Sequence, residues 1–291
     1  MKPIARKQSR GKKFHMNIKK HFQAICAEFL SKTKLLYLPT LFSETPALRV
    51  INYHWTPEEE STTLEKQFKF ISENYVSLDE HGLRAFLRGE YHKTKNAIII
   101  SFDDGFLNNW EIGVPLLEKY RLVGWFFVIG NGGFADGRLL GGNLNNNYCM
   151  NWNQLREVRS RGHVIGCHTM NHVDLGKTNL FKLGSELIDS RLLIESKIGH
   201  PVSSFAYPYG TARSFSKTSI KMVRNNYEFG FHNFPIPIKK DHHPHALGRI
   251  CVESGWTTDI LQFRLNGFLD VRYRKPRNNF FKMLKESAAL S

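Results

Sequence analysis

Three short polar clusters in this chain can do chemistry, and each stands directly after an apolar run. Asp103-Asp104-Gly105 follows Ala97 to Phe102, His168-Thr169-Met170-Asn171-His172 follows His163 to Cys167, and Tyr207-Pro208-Tyr209-Gly210 follows Val202 to Ala206. A carboxylate and two imidazoles make a three-ligand set for a divalent ion such as Zn²⁺ and leave one position for water. Water bound in that way loses a proton near neutral pH and becomes a nucleophile. Taken singly, an Asp-Asp-Gly is a common turn or cap, two histidines four apart are a common surface pair, and Pro-Tyr is a rigid turn. Their shared placement at the ends of three apolar runs is what points to one site.

The elements that must position these clusters alternate in type. Ala47 to His54 reads as a buried strand that ends at Trp55-Thr56-Pro57, and Glu58-Glu59 with Leu64, Phe68 and Ile71 reads as the helix after it. Ser77 with Glu80 has the spacing of a capping box for a helix over 78–88. Strands over 97–102, 124–129, 163–167, 202–206, 227–231 and 246–252 alternate with helices over 110–120, 152–161, 180–198, 216–226 and 258–268. Seven strands separated by helices predict an α/β fold, a distorted (β/α) barrel of about seven parallel strands. In such a barrel the carboxyl ends of all strands share one mouth, which brings the acid pair and the two histidines together across some 65 residues. The Gly- and Asn-rich stretch 130–150 is the one long loop, of the kind that shapes a substrate site.

Charge is distributed unevenly along the chain. Its net charge is +15, yet residues 1–50 carry 11 basic and 2 acidic side chains, residues 272–291 carry 6 and 1, and residues 51–271 carry 24 and 23. The expected organisation is a basic N-terminal arm (1–46), a nearly neutral barrel domain (47–271) and a basic C-terminal tail (272–291). Such ends suit peripheral contact with an anionic membrane, an acidic polysaccharide or nucleic acid, and nothing in the core requires nucleic acid. The apolar segment Phe22 to Leu30 is short, contains Glu28 and lacks a cleavage pattern, so no secretory signal is expected. Cys26, Cys149, Cys167 and Cys251 show no C-x-x-C spacing, which argues against a disulfide framework or a thiolate metal site. The expected location is cytoplasmic or peripheral to the inner face of a membrane.

Ser101-Phe102-Asp103-Asp104-Gly105, His168 to His172 and Phe205-Ala206-Tyr207-Pro208-Tyr209-Gly210, in that order, resemble the first three motifs of the polysaccharide deacetylases with a NodB-homology domain. The resemblance spans roughly Leu48 to Ser254. It implies a metal-dependent hydrolase that removes N-acetyl groups from an amino-sugar polysaccharide or oligosaccharide of the N-acetylglucosamine type. By that resemblance Asp104, His168 and His172 are metal ligands, for Zn²⁺ first and Co²⁺ or Ni²⁺ as alternatives. Asp103 is the general base, and Tyr209 lends its backbone N–H to the oxyanion.

The departures from the family pattern are informative. Ala206 stands where the third motif has an arginine, and no Leu-x-His follows residue 210 to supply the general acid. Ile51-Asn52-Tyr53-His54 has a similar form but precedes the first motif. A closed barrel makes first and last strands neighbours, so this permuted order preserves the site and resembles the branch that deacetylates poly-β-1,6-N-acetylglucosamine in exopolysaccharide export. His54 is therefore the candidate general acid. Arg249, on a late strand, is the candidate substitute for the missing arginine and would orient Asp103. Trp55 and Trp152 are candidates for a sugar-stacking surface or for the core, and His242, His243 and His245 read as loop residues. The competing reading is a non-catalytic carbohydrate-binding or membrane-docked scaffold that kept the fold.

Overall fold

The structure is a computed structural model, and it describes residues 47–132, 134–135, 138–139 and 149–288. The basic arm 1–46, Cys26 and most of the long loop lie outside the described residues. Strands β1 (Leu48–Tyr53), β2 (Tyr75–Ser77), β3 (Asn96–Asp104), β4 (Gly124–Val128), β5 (Val164–Cys167), β6 (Ser204–Ala206), β7 (Phe229–His232) and β8 (Leu247–Cys251) form one all-parallel sheet. Its order is β1-β8-β7-β6-β5-β4-β3, and β1 pairs again with β3, so seven strands close into a barrel while β2 flanks the start of β3. Among the described residues no helix is long and apolar enough to cross a membrane.

Helices α1 (Ser61–Asn74), α2 (Glu80–Leu87), α3 (Val114–Lys119), α4 (Trp152–Ser160), α5 (Leu180–Gly184), α6 (Ser190–Ile198), α7 (Lys217–Asn226), α8 (Thr258–Leu265) and α9 (Arg274–Ala288) surround the strands. Single π-helical turns, Asn109–Gly113 before α3 and Ser185–Asp189 between α5 and α6, interrupt two expected helices. The cap of α2 is Asp79, which accepts from the Gly82 amide at 2.7 Å, and not Ser77, whose hydroxyl accepts from the Val123 amide instead. Residues 274–288 do not trail as a solvated tail. They form α9, whose Phe280 and Leu284 are buried against the barrel's helical layer, because apolar residues recur at helical spacing among the basic ones.

Period-two alternation sorts the strand side chains into two cores. Ile98, Ile100 and Phe102 of β3, with Ile51 and Tyr53 of β1, face the helices. Ala97 and Ile99, Leu48 and Val50, Phe229 and Phe231, and Leu247 fill the barrel interior. The interior set continues two residues on to Ser101 and Asp103 in β3, Asn52 and then His54 after β1, and Arg249 in β8. Alternation alone therefore turns these polar side chains into the mouth.

Candidate active site

Asp103 is 1% exposed and fully hydrogen-bonded. Arg249 donates through Nη1 to Oδ1 at 2.7 Å and through Nη2 to Oδ2 at 2.8 Å, and Asn52 Nδ2 donates to Oδ2 at 2.8 Å. Burial alone would raise the Asp103 pKa, but Arg249, His168 and His54 override it and hold the carboxyl well below the usual carboxylate range. Arg249 is itself fully buried, with its guanidinium 5.5 Å from the centre of the Phe127 ring, and Nε donates to Asn233 Oδ1 at 3.1 Å. Asn233 in turn donates to the Tyr209 carbonyl at 3.3 Å. The strand register explains how Arg249 reaches Asp103: Val50 pairs with Arg249 on one side of β1 and with Ile99 on the other, and Asp103 lies farther along β3 at the mouth.

The neighbouring carboxylate behaves differently. Asp104 adopts a left-handed backbone (φ 71°), as does Gly105 (φ 71°), and this turn swings its side chain away from Arg249 toward the histidines. Its Oδ1 lies 3.6 Å from His168 Nε2 and 3.3 Å from His172 Nε2, and that buried oxygen accepts no hydrogen bond among the described residues. One donor atom each from Asp104, His168 and His172 falls within 4.8 Å of the others. Burial, then the charge of Asp103, push the Asp104 pKa up to about 7, with Arg249 opposing.

His168 Nδ1 is 2.7 Å from the Ala206 carbonyl, so Nδ1 carries the proton and Nε2 presents its lone pair to the cluster. Burial lowers the His168 pKa to about 3, which keeps the ring neutral as a ligand must be. The chemistry of this donor set and the unbonded Asp104 oxygen fit a divalent cation. Cation uptake by protein stripped of divalent ions requires the Asp104 carboxylate. Asp104 is therefore expected to release close to one proton at about pH 6 and close to none at about pH 8.5, where water acidified by the ion would be the source instead, and titration calorimetry in buffers of different ionisation heat reads the release at about pH 6. For the same reason this group's contribution to stability in stripped protein falls as pH rises from the ordinary carboxylate range through about 7.

His54 follows β1 at the rim, half-exposed, with Nε2 3.8 Å from Asp103 Oδ2. The surrounding protein lowers its pKa and Arg249 adds to this, while Asp103 opposes both. Tyr209 also has a left-handed backbone (φ 60°), and its half-exposed ring meets His172 edge-on, with centroids 4.8 Å apart. Trp55 is half-exposed beside His54 and packs on Phe106. Trp152 lines a cavity of about 310 Å³ that opens beside Asp104 between Val128, Met150 and Leu155. His242 and His245 bond backbone carbonyls, of Ala246 and Tyr227, in the loop that enters β8, at the opposite end of the barrel from the mouth.

Sequence reasoning missed Glu186. This buried carboxylate, in the π-turn between α5 and α6, accepts from the Met170 amide at 3.1 Å, the Asn171 amide at 2.9 Å and Asn171 Nδ2 at 2.7 Å. It holds a loop strained by positive φ at Thr169 (67°) and His172 (56°), and so places both imidazoles. Helical spacing places it on the buried face with Leu183, Leu187, Ser190 and Ile194, but a lone Glu on that face belongs to no motif, so its tie to residues 170–171 was not legible. Glu186→Gln turns one acceptor oxygen into a donor facing these N–H groups. Cation affinity is expected to fall about 10–100-fold with the fold intact, measured by competitive chelator titration and circular dichroism.

A closed parallel barrel whose mouth holds an arginine-locked carboxylate beside an Asp-His-His cluster defines a hydrolase class of α/β barrel. The chain matches the family model for polysaccharide deacetylase over residues 90–230, just under half of its length. It is 24% identical over 221 residues to YxkH of Bacillus subtilis (73% of this chain, 74% of that protein). It is 29% identical over 118 residues to the peptidoglycan-N-acetylglucosamine deacetylase of Bacillus cereus (40% of this chain, 48% of that protein). Its fold is similar to the Streptococcus pyogenes deacetylase PplD solved with acetate, at 21% identity and a TM-score of 0.63, covering 75% of this chain and 97% of that one. The position of β1 between β3 and β8, ahead of the first motif in sequence, is consistent with the permuted branch.

Proposed function

We propose that this protein is a metal-dependent hydrolase that removes N-acetyl groups from an amino-sugar glycan of the N-acetylglucosamine type. The observation that carries the reading is the pairing of two unlike carboxylates: Asp103 locked by Arg249 as an anion, and Asp104 converging with His168 and His172 within 4.8 Å. The glycan class is supported by the name of the Bacillus cereus relative. Asp104, His168 and His172 would hold the ion, Zn²⁺ by preference for this mixed nitrogen and oxygen set, with Co²⁺ or Ni²⁺ as substitutes. Bound there, a divalent cation supplies polarisation of the amide carbonyl and acidification of water.

The chain's own groups do the rest. Asp103, anionic across the working pH range, takes the proton of the attacking water, and Arg249 and Asn52 keep its oxygens aimed. The Tyr209 backbone N–H stabilises the oxyanion of the tetrahedral intermediate. His54, with Nε2 3.8 Å from the same carboxylate, takes up the proton that Asp103 removed from water and delivers it to the departing amine as acetate leaves. The half-exposed Trp55 and Tyr209 rings flank this centre and suit the apolar faces of sugar rings.

The test is acetate release from N-acetylglucosamine oligomers by chelator-stripped protein before and after addition of Zn²⁺ or Co²⁺. Release restored by the ion supports the reading. A protein that rebinds one ion yet releases no acetate from any oligomer overturns it. His168→Ala is expected to lose both the ion and turnover, read from ion stoichiometry and acetate release on the same sample.

A further inference from the structure

Exposed charge is unevenly placed along the barrel axis, although the mouth also carries Lys177, paired with Asp174, and Arg213 on the loops leaving β5 and β6. At the mouth, the loops leaving β1, β3 and β8 carry exposed Glu58, Glu59, Glu111 and Glu253 and contain no Lys or Arg. At the other end, where the strands begin, Lys239, Lys240, Arg272, Arg274 and Lys275 are exposed and make no ion pair among the described residues. Most acids there are engaged: Asp270 pairs with Arg49 at 2.6 Å, Glu90 with Arg88 at 2.9 Å and Glu228 with Arg84 at 2.5 Å, whereas Glu73 and Asp241 make no ion pair among the described residues.

Contacts show that these cations share one end. Ile238 bridges Leu48 at the start of β1, Lys240 lies against Gly89, and Arg49 of β1 ties down the turn 267–270 that leads to Arg272. In the same turn Val271 is 72% exposed and Phe268 is 38% exposed, its ring stacked on Phe263. Residues 1–46, with ten Lys and Arg against two Glu, join the barrel at this same end through Ala47.

We infer that the end of the barrel opposite the mouth is a docking face for an anionic lipid bilayer. Cations around exposed aliphatic and aromatic side chains match an interface where headgroups are anionic and the layer beneath them is apolar. Duplex nucleic acid complements the charge equally well but gives Val271 nothing to enter, so the apolar pair favours lipid. Docked in this way, the chain holds its mouth away from the membrane, toward a glycan that extends from it. The docking face itself stands on charge and exposure, and only the glycan at the mouth rests on the deacetylase reading.

The experiment uses the full chain and co-sedimentation with vesicles of phosphatidylcholine, alone or with about one third phosphatidylglycerol. Binding is expected to the anionic vesicles and to weaken steeply with salt. Substituting Lys239, Lys240, Arg272, Arg274 and Lys275 together by Gln is expected to lower the partition coefficient at least about tenfold, and Val271→Asp to lower it as well. Melting temperature and acetate release, read in parallel, are expected to stay at parental values. Variants that bind vesicles as the parent does would assign the binding to residues 1–46 and overturn the face. Absence of vesicle binding, or tighter binding to duplex DNA that Val271→Asp leaves unchanged, would overturn it too.

Discussion

Asp103→Asn is expected to bind a divalent cation with nearly parental affinity and to lose about 10²–10⁴-fold in kcat for deacetylation. The substitution keeps the side chain's shape and leaves the donors Asp104, His168 and His172 in place, so cation stoichiometry should hold. It removes the carboxylate that Arg249 holds as an anion beside Asp104, His168 and His172, and Asn cannot accept a proton from water. The contrast is with His168→Ala, which removes a donor and with it the ion. Paired measurements of cation content and acetate release check the difference. Turnover of Asp103→Asn within about threefold of the parent would assign the proton transfer elsewhere, against the usual size of general-base effects. A stability cost is also expected, since the amide leaves the buried Arg249 without a counter-charge.

Arg249→Gln is expected to destabilise the protein by about 3–5 kcal/mol at neutral pH, the cost of stranding one partner of a buried ion pair. Arg249 is fully buried, and both of its Nη atoms are committed to Asp103. In the parent, Asp103 has a folded-state pKa below its unfolded value. Its contribution to stability is thus complete above the ordinary carboxylate range and is lost as pH falls. Without the guanidinium, burial dominates and the Asp103 pKa moves above its unfolded value. The deficit of the variant should therefore shrink on acidification, a trend that a packing defect would not produce. Urea unfolding at about pH 7 and about pH 4.5 reads it directly. Acetate release should show the same shift, with the acid limb of the rate profile displaced upward. The double variant Asp103→Asn with Arg249→Gln should recover part of the stability lost by either change alone, because no buried charge is left unpaired.

The seven strands were legible because parallel strands buried on both faces read as short apolar runs, and three of the runs ended at a polar cluster. The same reading found Arg249 through its place on a late strand, where the register with β1 brings it to Asp103. Other features were not legible. Asn52 sits one strand over from Asp103 and bonds it across a separation of 51 residues, and Glu186 reaches Met170 and Asn171 out of a π-turn. Ser77 and Asp79 both suit the start of α2, and only the position of the Val123 amide assigns the hydroxyl to a neighbouring loop. The basic residues after 271 masked the apolar stripe of α9, since Phe280 and Leu284 have no partner in their own segment and find one only on the barrel.

The amino-acid sequence by itself determined which groups are present and, through the two-residue repeat of a strand, which of them can face one mouth. That repeat is local, set by the backbone of each strand, so it survives without knowledge of the fold. Tertiary structure decided what each group does there. Asp103 and Asp104 are the same residue type side by side, and they differ because one points at a buried guanidinium while the other turns, at φ 71°, toward two imidazoles. Which end of the barrel each charged segment occupies was likewise invisible, because a sum along the chain is blind to where a loop lies on the barrel axis. Electrostatic free energy depends on distance and burial, and folding sets both.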